Sequence, residues 1–483
     1  MAWVSDGSSR ETRTRPNRGR PNGPTTSDRR RTSAPTHTRL LALRVLERVS
    51  SAGAYADLLL HSALARSNLS APDRAFATDL VYGTLRWRGK IDYYLSHFVD
   101  QDPAKLEPLV ASTLQLGGFQ LLCTDRVPAS AAVDQSVRCI RAAGMGRATG
   151  LVNAVLRRLS LERDKIMLPS VHDDPIAYLT HALSIPRWLA ERWIERCGVE
   201  GAVALAKASN QPPPLTIRVN RARADAGELL QDLRENFPDA HACRFARHGI
   251  VLGRKGNPAR DPNFIAGRFT VQDEASQLVV ALLDPQPGER VLDLCAAPGG
   301  KTTAIAERVG PAGSVVAVDR NPRRLDLVQR AVRRLGLSGI QTAVRDATRS
   351  LEELAPPGGF DRILVDAPCS GLGTLRRNPD AKWRVKPGDP ARLAEIQRAL
   401  VGSAAAALRP GGALVYSSCT VLPEENEEIA RYFLRGSRDF ASIPRAALPD
   451  EVKSVADPEG FLRTFPHLHD TDGFFAARFE RRT

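Results

Sequence analysis

Arg290-Val-Leu-Asp-Leu-Cys-Ala-Ala-Pro-Gly-Gly-Lys-Thr302 decides how the second half of the chain is read. Its first five residues, with Val291, Leu292 and Leu294 apolar, read as a strand. The small residues and paired glycines that follow predict a tight turn into a helix over 302–309. Further strands are expected at 314–319, 340–344, 362–366 and 413–417, with a last one at 473–479. Between the second and third, Leu325, Val328, Val332 and Leu335 recur at steps of three, four and three, which puts them on one helix face. This alternation predicts an α/β, Rossmann-like unit with a mostly parallel, doubly wound sheet, which binds ligands beyond the carboxyl ends of its strands.

The turn itself narrows the ligand. A phosphate-binding P-loop needs glycine five residues before Gly300, where this chain has Cys295, and the Gly-x-Gly-x-x-Gly dinucleotide pattern is absent. An adenosine-type cofactor without a pyrophosphate remains, passing close to Cys295, Ala296, Ala297, Pro298, Gly299, Gly300 and Lys301, and S-adenosylmethionine fits. Asp319 closes the second strand, where a carboxylate can accept hydrogen bonds from ribose hydroxyls, with Arg320 beside it. Asp346, just past the third strand, is the candidate for the exocyclic amine of adenine. Either acid alone is as well explained by a loop cap; their succession on one sheet favours a cofactor site.

Two cysteines also fall at strand ends, in Asp366-Ala-Pro-Cys-Ser-Gly371 and in Tyr416-Ser-Ser-Cys-Thr420. A single such cysteine is usually a small buried hydrophobe. Two of them beside a carboxylate at a cofactor site suggest chemistry. Carbon 5 of cytosine is too poor a nucleophile to take a sulfonium methyl directly, so a thiolate must first add to carbon 6. Addition requires proton donation at N3, a hydrogen bond that Asp366 could share if burial raises its pKa, with Lys301 positioning it.

Upstream, the pattern changes. Leu41, Val45, Leu46 and Val49 begin a run of helical periodicity over 38–160, and Ser70 followed by Asp73 reads as a capped helix start. Domains are expected at 1–35 (a disordered basic tail), 36–165 (all-helical), 166–268 (a linker helix and a small α+β unit) and 269–483 (the α/β unit). Lys and Arg number 68 against 54 Asp and Glu, a net +14 that favours a polyanionic partner such as nucleic acid. Nine arginines up to Arg39 against Asp6, Glu11 and Asp28 supply +6 of it. The seven cysteines form no Cys-x-x-Cys pair, so free thiols are expected and no metal site. With no long apolar run and no secretory leader, a soluble, cytoplasmic protein without a membrane partner is expected.

Ala297-Pro-Gly-Gly-Lys301, Asp366-Ala-Pro-Cys-Ser-Gly371, Arg376-Arg-Asn-Pro-Asp-Ala-Lys-Trp383 and Asp472-Gly-Phe-Phe475 resemble the motifs of RsmB/Sun-type ribosomal RNA cytosine-C5 methyltransferases, within the NOL1/NOP2/Sun group. Pro213-Pro-Leu-Thr-Ile-Arg-Val-Asn220 and Val271-Gln-Asp-Glu-Ala-Ser276 are similar to its upstream segments, and the helical region, with Val152-Asn-Ala-Val-Leu-Arg-Arg158, looks like a NusB-type RNA-binding domain. The resemblance implies a class I methyltransferase domain, S-adenosylmethionine as methyl donor, 16S rRNA as partner, and a monomer. It also implies that Cys419 is the nucleophile and Cys369 assists product elimination. The family usually has Thr-Cys-Ser where this chain has Ser418-Cys419-Thr420, which keeps both hydroxyls. Two other readings compete: a non-catalytic antitermination or ribosome-assembly factor with a relict cofactor fold, and a tRNA cytosine methyltransferase.

Overall fold

The computed structural model describes residues 36–101, 103–254 and 256–483, so the expected tail, 1–35, lies outside the described residues. The helical region contains α1 (His37–Ala52), α2 (Ala56–Ala65), α3 (Ala71–Ser96), α4 (Pro108–Leu122), α5 (Ala129–Ala142) and α6 (Thr149–Glu162). Their apolar faces meet in one core that includes Leu43, Leu46, Leu80, Ile91, Leu114, Phe119, Val152 and Leu156. Ser70 caps α3 as its spacing predicts, with Oγ accepting from Asp73 N at 3.3 Å and donating to Asp73 Oδ2 at 2.6 Å.

After α7 (Arg187–Ser209), which kinks at Cys197 and Gly198, comes a small unit of β1 (Thr216–Val219), α8 (Ala226–Arg234), β2 (His241–Ala242), β3 (Gly249–Val251) and β4 (Phe269–Val271). Its sheet is antiparallel in the order β2-β3-β1-β4. The fourth strand comes from the start of the segment expected to form the large α/β unit: Val219 pairs with Phe269 and Ile217 with Val271.

The large unit runs α9 (Glu274–Leu283), β5 (Arg290–Leu294), α10 (Gly300–Val309), β6 (Ser314–Asp319), α11 (Pro322–Leu335), β7 (Ile340–Val344), β8 (Phe360–Asp366), α12 (Asp389–Ala407), β9 (Leu408–Ser418), α13 (Glu427–Gly436), β10 (Phe440–Ser442), β11 (Leu462–Thr464) and β12 (Phe474–Arg481). The sheet order is β10-β12-β9-β8-β5-β6-β7, with β11 also on β12. Strands β5 to β9 are parallel, and β12 lies antiparallel to β9. Because β5 has β6 on one side and β8 on the other, the chain direction of winding reverses there, opening a crevice at the carboxyl ends. On α11, Leu325, Val328 and Leu335 are buried against the sheet while Arg323, Arg330 and Arg333 are exposed. β9 starts earlier than expected because Arg409-Pro-Gly-Gly412 bulges out of the ladder, shifting register between Phe360↔Leu408 and Arg362↔Ala413.

The helical region docks on the large unit through the loop after β8. Trp383 Nε1 donates to Leu85 O at 2.6 Å, Lys382 Nζ to Arg86 O at 2.8 Å, and Arg86 Nη2 back to Arg376 O at 2.8 Å. Burial pushes the Lys382 amine well below the ordinary lysine value, and Arg86 adds to the effect. Gly89 sits at the contact, where a Cβ would lie 2.7 Å from Thr180 O and 3.0 Å from the Trp383 ring. Among the described residues no helix is long and apolar enough to cross a membrane.

Candidate active site

The turn after β5 is held from several sides. Cys295 takes a left-handed backbone conformation (φ 59°), and Gly299 does so with φ 103°. At Gly299 a Cβ would come within 3.0 Å of Val328 Cα on α11, so the close approach of the two elements requires glycine. Arg218 on β1 reaches across from the small unit: its Nη1 donates to Gly300 O at 2.7 Å and its Nη2 pairs with Glu307 at 2.8 Å, both side chains being buried. From the other side Arg324 Nη2 donates to Ala297 O at 2.6 Å. Inside β5, Asp293 Oδ2 accepts from Thr302 Oγ1 at 2.6 Å, tying the strand to α10. Its complete burial pushes the carboxyl up to about 7.

The acids expected to hold the cofactor differ in setting. Asp319 is buried at the end of β6; Oδ1 accepts from Asn321 N at 2.9 Å, and Oδ2 has Arg324 at 3.6 Å. Asp346 is exposed, its Oδ1 accepting from Thr348 Oγ1 at 2.7 Å and Thr348 N at 3.1 Å, which hold its carboxyl below the usual range. That is a turn-capping arrangement, and its Oδ2 faces Arg349 at 3.8 Å. Arg320 is exposed beside Asp319. A strand-end carboxylate with a free oxygen, set beside a turn of small residues, suits a ribose and an uncharged adenine better than a polyphosphate.

At the ends of β8 and β9 the structure brings the reactive groups together. Lys301 Nζ donates to Asp366 Oδ2 at 2.8 Å, and Ser417 Oγ donates to Asp366 Oδ1 at 2.9 Å. Asp366 is therefore engaged by a cation and a hydroxyl and is partly open, whereas the sequence reading made its role at N3 conditional on burial. The Lys301 ammonium also lies 5.0 Å from the Phe474 ring centroid. Cys369 Sγ and Cys419 Sγ are 3.3 Å apart, and Cys419 N donates to Cys369 Sγ at 3.3 Å. The hydrogen bond with Cys419 and burial push the Cys369 thiol well above its ordinary value. Burial pushes the third strand-end thiol, Cys295, up to about 12, which leaves it unreactive.

Sequence reasoning missed the residues beneath the two thiols. Glu425 is fully buried, with Oε1 accepting from Ser370 N at 2.8 Å and Oε2 from Ser370 Oγ at 2.5 Å. Gln397 Nε2 donates to Glu425 Oε1 at 3.2 Å and to Pro368 O at 3.0 Å, and Asn426 Nδ2 donates to Thr420 O at 3.0 Å. Arg377 bridges Asp273 at 2.8 Å and Asp472 at 2.7 Å, fixing the start of β12. The available signal was Pro423-Glu-Glu-Asn426, four polar or turn-forming residues close behind Cys419.

A winding reversal beside β5, a glycine-rich turn without phosphate-binding geometry and an acid closing β6 define a Rossmann-like methyltransferase. A family model described as 16S rRNA methyltransferase RsmB/F matches residues 280–480, a NusB family model matches 36–161, and an RsmF/B-like ferredoxin-like domain model matches 185–258. The probable ribosomal RNA small subunit methyltransferase B of Bacillus subtilis (strain 168) is 37% identical over 450 residues, covering 92% of this chain and 99% of that protein. The ribosomal RNA small subunit methyltransferase B of Pseudomonas syringae pv. tomato (strain ATCC BAA-871 / DC3000) is 34% identical over 443 residues, covering 91% and 96%. Among solved structures, that of PH0851 superposes with a TM-score of 0.78 at 27% identity, covering 92% of this chain and 99% of that one. The chain belongs to the RsmB/F family of 16S rRNA methyltransferases and carries an N-terminal NusB domain. The reading as a non-catalytic factor gives way to that of an RNA methyltransferase.

Proposed function

We propose that this protein transfers a methyl group from S-adenosylmethionine to carbon 5 of a cytosine in 16S rRNA, with Cys419 as covalent nucleophile and Cys369 assisting release. The observation that carries the reading is the pair of thiols 3.3 Å apart beside the Lys301–Asp366 pair. The turn 295–301, Asp319 with Arg320, Asp346 and Asp366 form the cofactor side of the site, where S-adenosylmethionine supplies an electrophilic sulfonium methyl. Cys419, its thiol proton given up to solvent, forms a bond from Sγ to carbon 6; the ring double-bond pair shifts to carbon 5 as N3 takes up a proton from the Lys301–Asp366 pair, leaving carbon 5 able to attack. Once carbon 5 carries the methyl group, its proton leaves, the double bond reforms and the bond to Cys419 breaks. Cys369, adjacent to that sulfur, helps this step.

Denaturing electrophoresis after incubation with RNA and cofactor tests the assignment. Cys419→Ala should lose both methylation and covalent adduct, whereas Cys369→Ala should accumulate an adduct it cannot release. The wild type should trap only on 5-fluorocytosine RNA. Adducts from Cys419→Ala alone would reverse the two roles, and adducts from no variant or substrate would remove covalent catalysis. Bisulfite mapping of 16S rRNA from cells lacking the gene identifies the base, and an unmodified tRNA cytosine instead would favour the tRNA reading.

A further inference from the structure

We infer that Glu425 is the positioning residue of the two-thiol centre: it fastens the loop following Cys369 to the loop following Cys419 and so sets the distance between the sulfurs. The inference goes beyond the roles given to the cysteines and concerns what holds them. Cys369 and Cys419, 50 residues apart in sequence, sit just past the ends of β8 and β9, whose shared ladder runs to Asp366↔Ser417, with Ala367 N donating to Ser417 O at 2.9 Å and Gly373 N to Cys419 O at 3.0 Å; the loops that carry the sulfurs lie beyond that ladder. The connection runs below them. Glu425 is 0% exposed and takes two hydrogen bonds from Ser370, one from the main chain at 2.8 Å and one from the hydroxyl at 2.5 Å. The Ser370 hydroxyl is also 2.8 Å from Thr420 Oγ1. Ser370 follows Cys369 and Thr420 follows Cys419, so this one carboxylate sits under the next residue of each thiol loop.

The rest of the clamp points the same way. Gln397 on α12 joins Pro368 O, the residue before Cys369, to Glu425 Oε1. Tyr416 OH donates to Glu425 O at 2.5 Å, and Asn426 Nδ2 donates to Thr420 O, which anchors the 423–426 turn to β9 from below. A carboxylate is costly to bury, and this one is retained where it meets donors on both oxygens. Its negative charge also faces Cys369 and favours the neutral thiol there. A thiol and a nucleophilic sulfur held in contact suit a reaction in which one attacks and the other serves its departure.

Oxidative cross-linking measures the sulfur separation without any methylation. Diamide accepts two electrons and two protons from a pair of thiols, leaving a disulfide, and the reaction is fast only where the sulfurs can close to about 2.05 Å. In the wild-type protein the Cys369–Cys419 peptide pair, identified by mass spectrometry, should link rapidly. Glu425→Ala should slow that link by about tenfold or more, since closure requires the cysteine geometry the clamp enforces. Glu425→Gln, which can still accept from Ser370 N and donate to its hydroxyl, should restore the rate to at least that of the wild type, since it keeps the clamp and removes a charge that disfavours the Cys369 thiolate. Ser370→Ala removes only a hydroxyl and should also slow linking, so the test stands if Glu425→Ala does not fold. Linking at the wild-type rate in both Glu425→Ala and Ser370→Ala, or failure of Glu425→Gln to restore it in a folded protein, overturns the inference. Because cross-linking needs neither RNA nor cofactor, a negative adduct experiment leaves this result readable on its own.

Discussion

Asp319 and Asp346 follow successive strands of one sheet, yet their surroundings predict unequal weight. Asp319 is buried with one oxygen uncommitted to a short hydrogen bond, whereas Asp346 is exposed and already satisfied by Thr348. Removing a buried acceptor leaves its partner unpaired and costs about 1–3 kcal/mol, while an exposed one is replaced by water. Calorimetric titration with S-adenosylmethionine should therefore show a loss in that range for Asp319→Ala and a smaller loss, near its lower end, for Asp346→Ala. Unchanged affinity in both would remove the cofactor assignment. The strand-end acids and cysteines were legible because a strand followed by a chemically active residue is a local pattern. Glu425 and Arg218 were not, since their roles exist only across gaps of 55 residues to Ser370 and 82 to Gly300.

At the level of elements, the contact between α3 and the 376–384 loop is close enough to have one critical position. A methyl group at Gly89 would stand 2.7 Å from the Thr180 carbonyl, which belongs to main chain and cannot swing aside. Overpacking of this kind costs about 1–3 kcal/mol. Gly89→Ala should lower the denaturant midpoint accordingly and expose the loop to limited proteolysis, while Gly150→Ala, with nothing within 4 Å of its Cβ, should do neither. A protease pattern identical in the two variants would show that the helical region does not depend on this contact. The long helices and parallel strands were readable from apolar periodicity, as Leu325, Val328 and Leu335 on α11 illustrate. β10 and β11, at three residues each, are too short for any period to show, and β4 joins the small sheet through pairings that no local pattern encodes.

Over the whole molecule, a net charge of +14 and a polyanionic substrate make binding a matter of counterion release. Affinity for an rRNA fragment should fall steeply as salt rises from low to physiological levels. Removing residues 1–35, which carry eight arginines against three acids, should flatten that dependence without abolishing methylation. Binding that stays flat across the salt range would mean that basic surface is not what docks the RNA. Translation adds a direction to the docking of α3 against the later loop. Leu85 and Arg86 are synthesised almost three hundred residues before Lys382 and Trp383, which donate to their carbonyls. The helical domain thus leaves the ribosome before the segment that links the two thiol-bearing strands, and that segment closes on it. A substitution on that surface should therefore lower 16S rRNA methylation in a cell, as bisulfite mapping would read, although the altered codon lies nowhere near the chemistry.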